Sequence, residues 1–353
     1  MKKIELFVKN IFLKILLSLK LGSSGKEQPL FSEDSKILFI RLNRIGDALV
    51  TTPLLQEVKR QIKCRVYVLA DKNNSFVFSN NPNVDKVIVF RKGFKGFIEI
   101  LNFIKAENFD AIIDLHDDVS TTVTYLLAMA QTPNKFGLKK GNEQVYTKTI
   151  EKPDAGTFHV IDRVMSLAEL FNLKVCKEEI NVNYFPKPQS VKKVEEVLKN
   201  KFPEKKFLLG INISAGSPAR FWGVDNYRLL IGFLESYDIQ VLLLCSEKEA
   251  QQALQINNGS EDNIFYSPSF DEFACAVSKL DMLYTPDTMA VHLASAFQVP
   301  VFGMYVHYNT KDMIWTPYRS DFECVITENN TLNDVTFNQV IEKFKPFLEK
   351  YTS

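Results

Sequence analysis

The sequence carries neither glycine-rich loop of the commonest nucleotide sites. No GxGxxG and no GxxxxGK[ST] occurs in its 353 residues, which argues against a dinucleotide dehydrogenase or a P-loop enzyme. It also has little surplus charge. A net charge of +1 gives no global field to draw in nucleic acid. Cysteine is sparse and unpatterned: Cys64, Cys176, Cys245, Cys275 and Cys324 are odd in number and form no CxxC pair. That spacing offers neither a disulfide framework nor a thiolate metal site, and several of the five lie in apolar runs, as buried thiols of a reducing compartment do.

An uninterrupted apolar run is missing as well. Residues 1–21, MKKIELFVKNIFLKILLSLKL, come nearest, but Lys9 and Lys14 break the run. No small-residue cleavage site follows, so neither a secretory signal nor a membrane span is expected. Lys3, Asn10, Lys14 and Ser18 form a narrow polar stripe at helical spacing. The stretch reads as a basic amphipathic helix lying on an anionic membrane surface, with docking on the protein's own surface as the alternative.

What is present is a globular composition, 46% hydrophobic and 24% charged, on a chain too long for one ordinary core. Its organising stretch is KILFIRLNRIGDALVTTPLL, residues 36–55. Ile37-Leu38-Phe39-Ile40 is a run suited to a strand buried on both faces, followed by a polar turn at 41–47 and an amphipathic helix ending near Ile62. Strands are expected again at 65–70, 86–90, 111–115 and 135–138, with helices between them. From Lys139 to Thr157 the pattern dissolves into a polar loop, and 181–189, with Pro186 and Pro188, reads as an inter-domain linker. Strand-helix alternation then resumes from 207 to 305. The prediction is an α/β chain of two doubly wound parallel sheets. A first domain spans 36–185, a second spans 190–330, and a last helix at 331–353 packs back toward the first.

Three loops at strand ends carry chemistry. The first holds Arg44, Gly46 and Asp47 at the head of a helix, where a carboxylate serves either as a helix cap or as a catalytic group. The second, Ser214 to Trp222, brings Gly216 and Ser217 together with Arg220, a composition that admits an anion; Arg220 stacking on Trp222 is the structural alternative. The third opens a helix with Asp287 as expected N-cap, Thr288 beside it, and His292 among apolar neighbours, where a core histidine is the default. His116-Asp117-Asp118 at another strand end offers a hard-metal site or, more ordinarily, a solvated loop.

Taken together, RLNRIGDALVTTPLL, INISAGSPARFWGVDNYRLLI and YTPDTMAVHLASAFQVPVFGMY resemble, in order and separation, the signature regions of glycosyltransferase family 9, the lipopolysaccharide heptosyltransferases. The resemblance implies a GT-B architecture of two Rossmann-like domains facing across a cleft, with the nucleotide-sugar donor on the second and a lipid-linked saccharide acceptor on the first. Asp47 matches the family's general base. Arg220 stands where a phosphate-contacting lysine is usual, and Asp287, Thr288 and His292 match a DT-x-x-x-H donor pattern. Ser214, Gly216 and Ser217 line the same donor region, and Glu247 or Glu249 stands for a ribose-holding glutamate. Arg44, His116, Lys139 and Lys140 are the acceptor-side candidates. Met289, Ala215 and Gly216 depart from the usual residues and bear on donor identity. The resemblance further implies inverting transfer of a sugar, a heptose from ADP-heptose, without metal or other cofactor. It places the reaction at the cytoplasmic face of an inner membrane. A GT-B epimerase or hydrolase, and a non-catalytic nucleotide-sugar-binding module, are the alternatives.

Overall fold

The computed structural model describes residues 29–352; the expected amphipathic helix at 1–21 lies outside them. The chain divides between Ile180 and Asn181 into two compact units. Among the described residues no helix is long and apolar enough to cross a membrane.

The first unit is built on six parallel strands: β1 (Lys36–Arg41), β2 (Arg65–Asp71), β3 (Lys86–Phe90), β4 (Ala111–Asp114), β5 (Asn134–Lys139) and β6 (Lys148–Glu151). Their order is β3-β2-β1-β4-β5-β6. β1 sits in the middle, pairing with β2 on one side and β4 on the other. That explains its unbroken apolar run, because a central parallel strand meets helices on both faces. Leu38 and Ile40 pack with Ile112, Phe109 and Leu126 on one face.

The second unit repeats the plan with β7 (Phe207–Asn212), β8 (Ile239–Cys245), β9 (Ile264–Tyr266), β10 (Met282–Pro286), β11 (Val301–Val306) and β12 (Phe322–Thr327). The order β12-β11-β10-β7-β8-β9 is the same winding as in the first sheet, numbered from β7. Its core is aromatic. The Tyr284 and Phe302 rings stack at 5.3 Å, and Phe344 meets them edge-on at 5.4 and 5.0 Å.

Four elements differ from the sequence expectation. The polar loop at 139–157 contains β6, whose residues Lys-Thr-Ile-Glu at a sheet edge carry too little apolar signal to announce a strand. Edge strand β12 was hidden by the same exposure. Pro188 does not end a linker; it opens the helix Pro188–Lys201, where its missing N–H costs nothing. The last helix, Phe337–Thr352, was expected to return toward the first domain. Its apolar stripe of Val340, Phe344, Phe347 and Leu348 instead belongs to the core of the second unit.

Gly96, in the first turn of the helix Phe94–Glu107, is a tight point: a Cβ there would lie 1.8 Å from the Arg91 carbonyl oxygen. Gly232, in the helix Val224–Leu234, has nothing within 4 Å of the same position. Gly96→Ala is therefore expected to lower stability by about 1–3 kcal/mol. Gly232→Ala is expected to raise it by about 0.4–1 kcal/mol. Urea midpoints with unchanged slopes check both, and equal responses would contradict the packing described.

Candidate active site

In each sheet the winding reverses between its first and fourth strands, so the loops after those strands diverge and leave a crevice at their carboxyl ends. Those strands are β1 and β4 in the first unit and β7 and β10 in the second. Most of the residues singled out by motif lie in the loops after them.

In the first unit the key side chain is one that the motif reading passed over. Arg41, the last residue of β1, is fully buried. Its Nε donates to the Asp47 carbonyl at 2.9 Å, its Nη2 pairs with Asp47 Oδ1 at 2.9 Å, and its Nη1 donates to the Leu115 carbonyl. One guanidinium thus ties the loop after β1 to the loop after β4. Asn74, also buried, donates to the Arg41 and Asn43 carbonyls at 3.1 and 2.6 Å and fixes the same loop from the other side. Asp47 is the third residue of the short helix Ile45–Leu49 and makes no cap hydrogen bond. The capping role is thereby set aside. Its side chain keeps 17% exposure, and Oδ2 has no hydrogen-bond partner among the described residues.

Behind this loop lies a buried ionic cluster. His116, 1% exposed, presents Nδ1 to Asp114 Oδ1 at 2.6 Å, while its Nε2 accepts the Leu42 N–H at 3.1 Å. A ring nitrogen that accepts a backbone N–H carries no proton, so His116 is the neutral tautomer with the proton on Nδ1. Burial holds it below its ordinary 6.5, against the pull of Asp114. Asp114 also receives Lys140 Nζ at 3.0 Å and the Tyr146 hydroxyl at 2.7 Å on Oδ2. Burial alone would raise the Asp114 carboxyl; His116 and Lys140 outweigh it and hold the group well below the usual carboxylate range. Asp117 is clamped by Arg163 at 3.0 and 3.2 Å.

These contacts correct two expectations. The His116-Asp117 stretch is no solvated loop, and His116 has no ring nitrogen left for a metal or a saccharide hydroxyl. Lys140 is buried with it, so both act as supports beneath the loops. Lys139 lies outside, exposed and paired with Glu151 at 2.6 Å. Arg44, the residue before the Asp47 helix, is exposed and makes no ion pair among the described residues.

In the second unit the loop after β7 turns at Gly216 with φ +63°, in open space, and Ser217 is exposed beside it. Arg220 reaches across to the loop after β10. Its Nη1 donates to the Asp287 carbonyl and its Nη2 pairs with Asp287 Oδ2, both at 2.9 Å. Trp222 is buried in the core with its Nε1 on the Val335 carbonyl, and the expected stacking is replaced by the Asp287 pair. Asp287 is not the N-cap either. Thr288 caps the helix Met289–Phe297, its hydroxyl accepting the Ala290 N–H at 3.3 Å. Buried Asn212 knits the two loops from below, donating to Thr285 Oγ1 at 2.9 Å and Thr288 Oγ1 at 3.3 Å. Neither Asn212 nor Thr285 lies in a motif that singled it out. Ser214 is engaged internally, with the Ser246 N–H at 2.8 Å and Glu249 at 3.1 Å. Glu249 therefore joins the loop and Glu247 stays exposed. His292 is buried beside the Trp315 ring at 5.8 Å.

The first unit also holds a cavity of about 670 Å³ at the carboxyl end of its sheet, bounded by Leu42 and Asn43 from the loop after β1. Among the described residues no group of three or more His, Cys, Asp or Glu is gathered as a metal cluster.

Two doubly wound parallel sheets, each with its polar residues at the switch point, define the architecture of a GT-B glycosyltransferase. The model of glycosyltransferase family 9 (heptosyltransferase) matches residues 99–345. The chain belongs to this family and is a glycosyltransferase; the Asp47 loop precedes the matched residues. Among curated proteins it is 22% identical over 292 residues to the lipopolysaccharide core heptosyltransferase OpsX of Haemophilus influenzae, covering 80% of this chain and 82% of that one. It is 23% identical over 301 residues to lipopolysaccharide heptosyltransferase 1 of Campylobacter coli, covering 77% and 85%. Among solved structures, a family 9 glycosyltransferase from Veillonella parvula superposes with TM-score 0.77 at 18% identity, over 91% of this chain and 99% of that chain. E. coli heptosyltransferase WaaC with ADP superposes at 0.70 and 18%, over 90% and 99%.

The neutral, buried His116 has a thermodynamic consequence. Its folded pKa lies below that of the unfolded chain, so its contribution to stability is complete above about 6.5 and falls away as pH drops below that value. Asp114, depressed when folded, adds a further loss lower down, through the ordinary carboxylate range. Unfolding midpoints measured from pH 8 to 4 are expected to fall more steeply below 6.5 in the wild type than in His116→Asn. Parallel curves would show that His116 is not held neutral.

Proposed function

We propose that this protein is an inverting, metal-independent glycosyltransferase. It moves a heptose from ADP-heptose onto a hydroxyl of a lipopolysaccharide core or related lipid-linked glycan, at the cytoplasmic face of the inner membrane. The observation that carries the reading is the state of Asp47. Arg41 immobilises it through Oδ1, helix capping does not consume it, and Oδ2 remains uncommitted. An acceptor hydroxyl hydrogen-bonded to Oδ2 would lose its proton there as its oxygen attacks the anomeric carbon, from the face opposite the departing diphosphate. The nucleotide portion of this reading is supported by the likeness to E. coli heptosyltransferase WaaC with ADP, and the acceptor portion by the likeness to a lipopolysaccharide core heptosyltransferase.

On the donor side, Arg220 and Thr288 are the groups suited to a diphosphate. A guanidinium has five N–H donors, and the Asp287 contacts use Nη1 and Nη2. Arg220 Nε–H has no protein acceptor among the described residues, so the Asp287 pair orients the fork without exhausting it. The capped end of the helix Met289–Phe297 adds a partial positive charge. Gly216 supplies open backbone beside Arg220, and exposed Ser217 adds a hydroxyl. These groups would stabilise the negative charge that develops on the leaving group. Free cysteines, four of the five buried, suit a reducing compartment.

Asp47→Ala is expected to lower transfer by at least roughly 10²-fold, the lower range for losing a general base, with calorimetric binding of ADP-heptose retained. Substantial turnover in this variant would remove Asp47 from the role. Titration of ADP-, GDP-, UDP- and TDP-linked sugars is expected to favour the ADP series, and transfer is expected to persist in excess EDTA. A strict metal requirement would overturn the metal-independent mechanism.

A further inference from the structure

The cavity in the first unit has a composition that nothing in the transfer chemistry requires. At about 670 Å³ it lies within the roughly 300–1,000 Å³ of pre-formed small-molecule sites. Phe90, Phe94, Phe97 and Tyr125 supply aromatic surface from β3, from the helix Phe94–Glu107 and from the helix Thr121–Met129. Asn43, Ser120, Thr121 and Thr122 add amide and hydroxyl groups to the same lining. Phe94 is 82% exposed.

The charge count decides what such a cavity accepts. Its lining includes one cation, Lys92, and one anion, Asp71, and these two pair with each other at 3.2 Å. Asp71 is further held by the Asn73 N–H at 2.9 Å. The lining therefore carries no net charge, and an anion drawn to Lys92 would also meet the Asp71 carboxylate beside it. An alkyl chain would leave the Asn43 amide and the hydroxyls of Thr121 and Thr122 facing hydrocarbon. A pyranose ring suits both parts of the lining, with C–H faces for the aromatic rings and hydroxyl edges for the amide and hydroxyls.

We infer that this cavity is a saccharide subsite selective for an uncharged sugar ring, so that the part of the acceptor seated beside the Asp47 loop is a neutral hexose or heptose. The inference rests on the acceptor-side reading of the first unit. Its position supports that link: Leu42 and Asn43, which bound the cavity, belong to the loop that Arg41 and Asn74 hold rigid around Asp47.

The test is direct binding, independent of transfer. Full-length, fluorescently labelled protein is applied to an array of immobilised bacterial oligosaccharides ending in neutral hexoses or heptoses, in uronic acids, or in phosphorylated sugars, with plain alkyl chains as a further set. Neutral termini are expected to be retained at least tenfold over the acidic ones. Phe94→Ala, at an exposed position that folding does not depend on, is expected to reduce that signal at least threefold, and Thr122→Phe to abolish it by filling the cavity. Asp47→Ala is expected to bind the array like the wild type while failing to transfer, which separates this inference from the catalytic reading. Retention of acidic termini or alkyl chains in preference to neutral sugars would overturn the inference. So would the absence of any glycan binding, or binding unaffected by both cavity variants.

Discussion

A single buried guanidinium holds the first unit's chemistry in place. Arg41 leaves the central strand without reaching water, and all three of its hydrogen-bonding nitrogens are spent on joining two loops. A lysine of similar length has one nitrogen and no planar fork, so it could not make the same three contacts in fixed directions. The arrangement is electrostatically conditional. An arginine out of water needs a nearby anion, and Asp47 is that anion at close range, with Asp114, Asp117 and Asp118 adding attraction from further off. Position and charge at Asp47 are therefore two aspects of one constraint.

The cluster under the loops works by the same logic at greater depth. His116, Asp114, Lys140 and Tyr146 satisfy one another's polar atoms in a place where unsatisfied groups would be costly. Through the Leu42 N–H the histidine grips the very start of the loop that carries Asp47. The second unit solves a similar problem without buried charge. Asn212, Thr285 and Thr288 hold its two loops together by neutral hydrogen bonds, with an ion pair, Arg220 with Asp287, nearer the surface.

Much of this was legible in the sequence because parallel sheets write themselves as apolar runs. β1, β7 and β10 are buried strands, and their loops could be located from the runs alone. What stayed hidden has physical causes. β6 and β12 are edge strands: β6 has one apolar residue in four, and β12 leaves Phe322 and Ile326 exposed, so neither carries the apolar run of a central strand. Arg41 reads as a turn residue, since burial of an arginine is decided by partners far along the chain, here Leu115. His116 was visible as a chemical residue but not as an occupied one, because its two contacts depend on which strands become neighbours. Asp47 and Asp287 both looked like helix caps; the backbone instead starts its helices one residue after Arg44 and one after Thr288. Family 9 membership rests on residues 99–345, so the Asp47 loop is carried by its own geometry.

The aromatic plug of the second sheet bears on how the chain comes to be folded during synthesis. Phe344 and Leu348, seated in that core, leave the ribosome after every strand of the sheet they cover. The first unit is a contiguous segment complete by Ile180 and is free to fold as soon as it emerges. The second unit must wait with its sheet face uncovered until the helix Phe337–Thr352 has emerged. Loss of that helix would thus strip the core of the second unit and leave the core of the first in place.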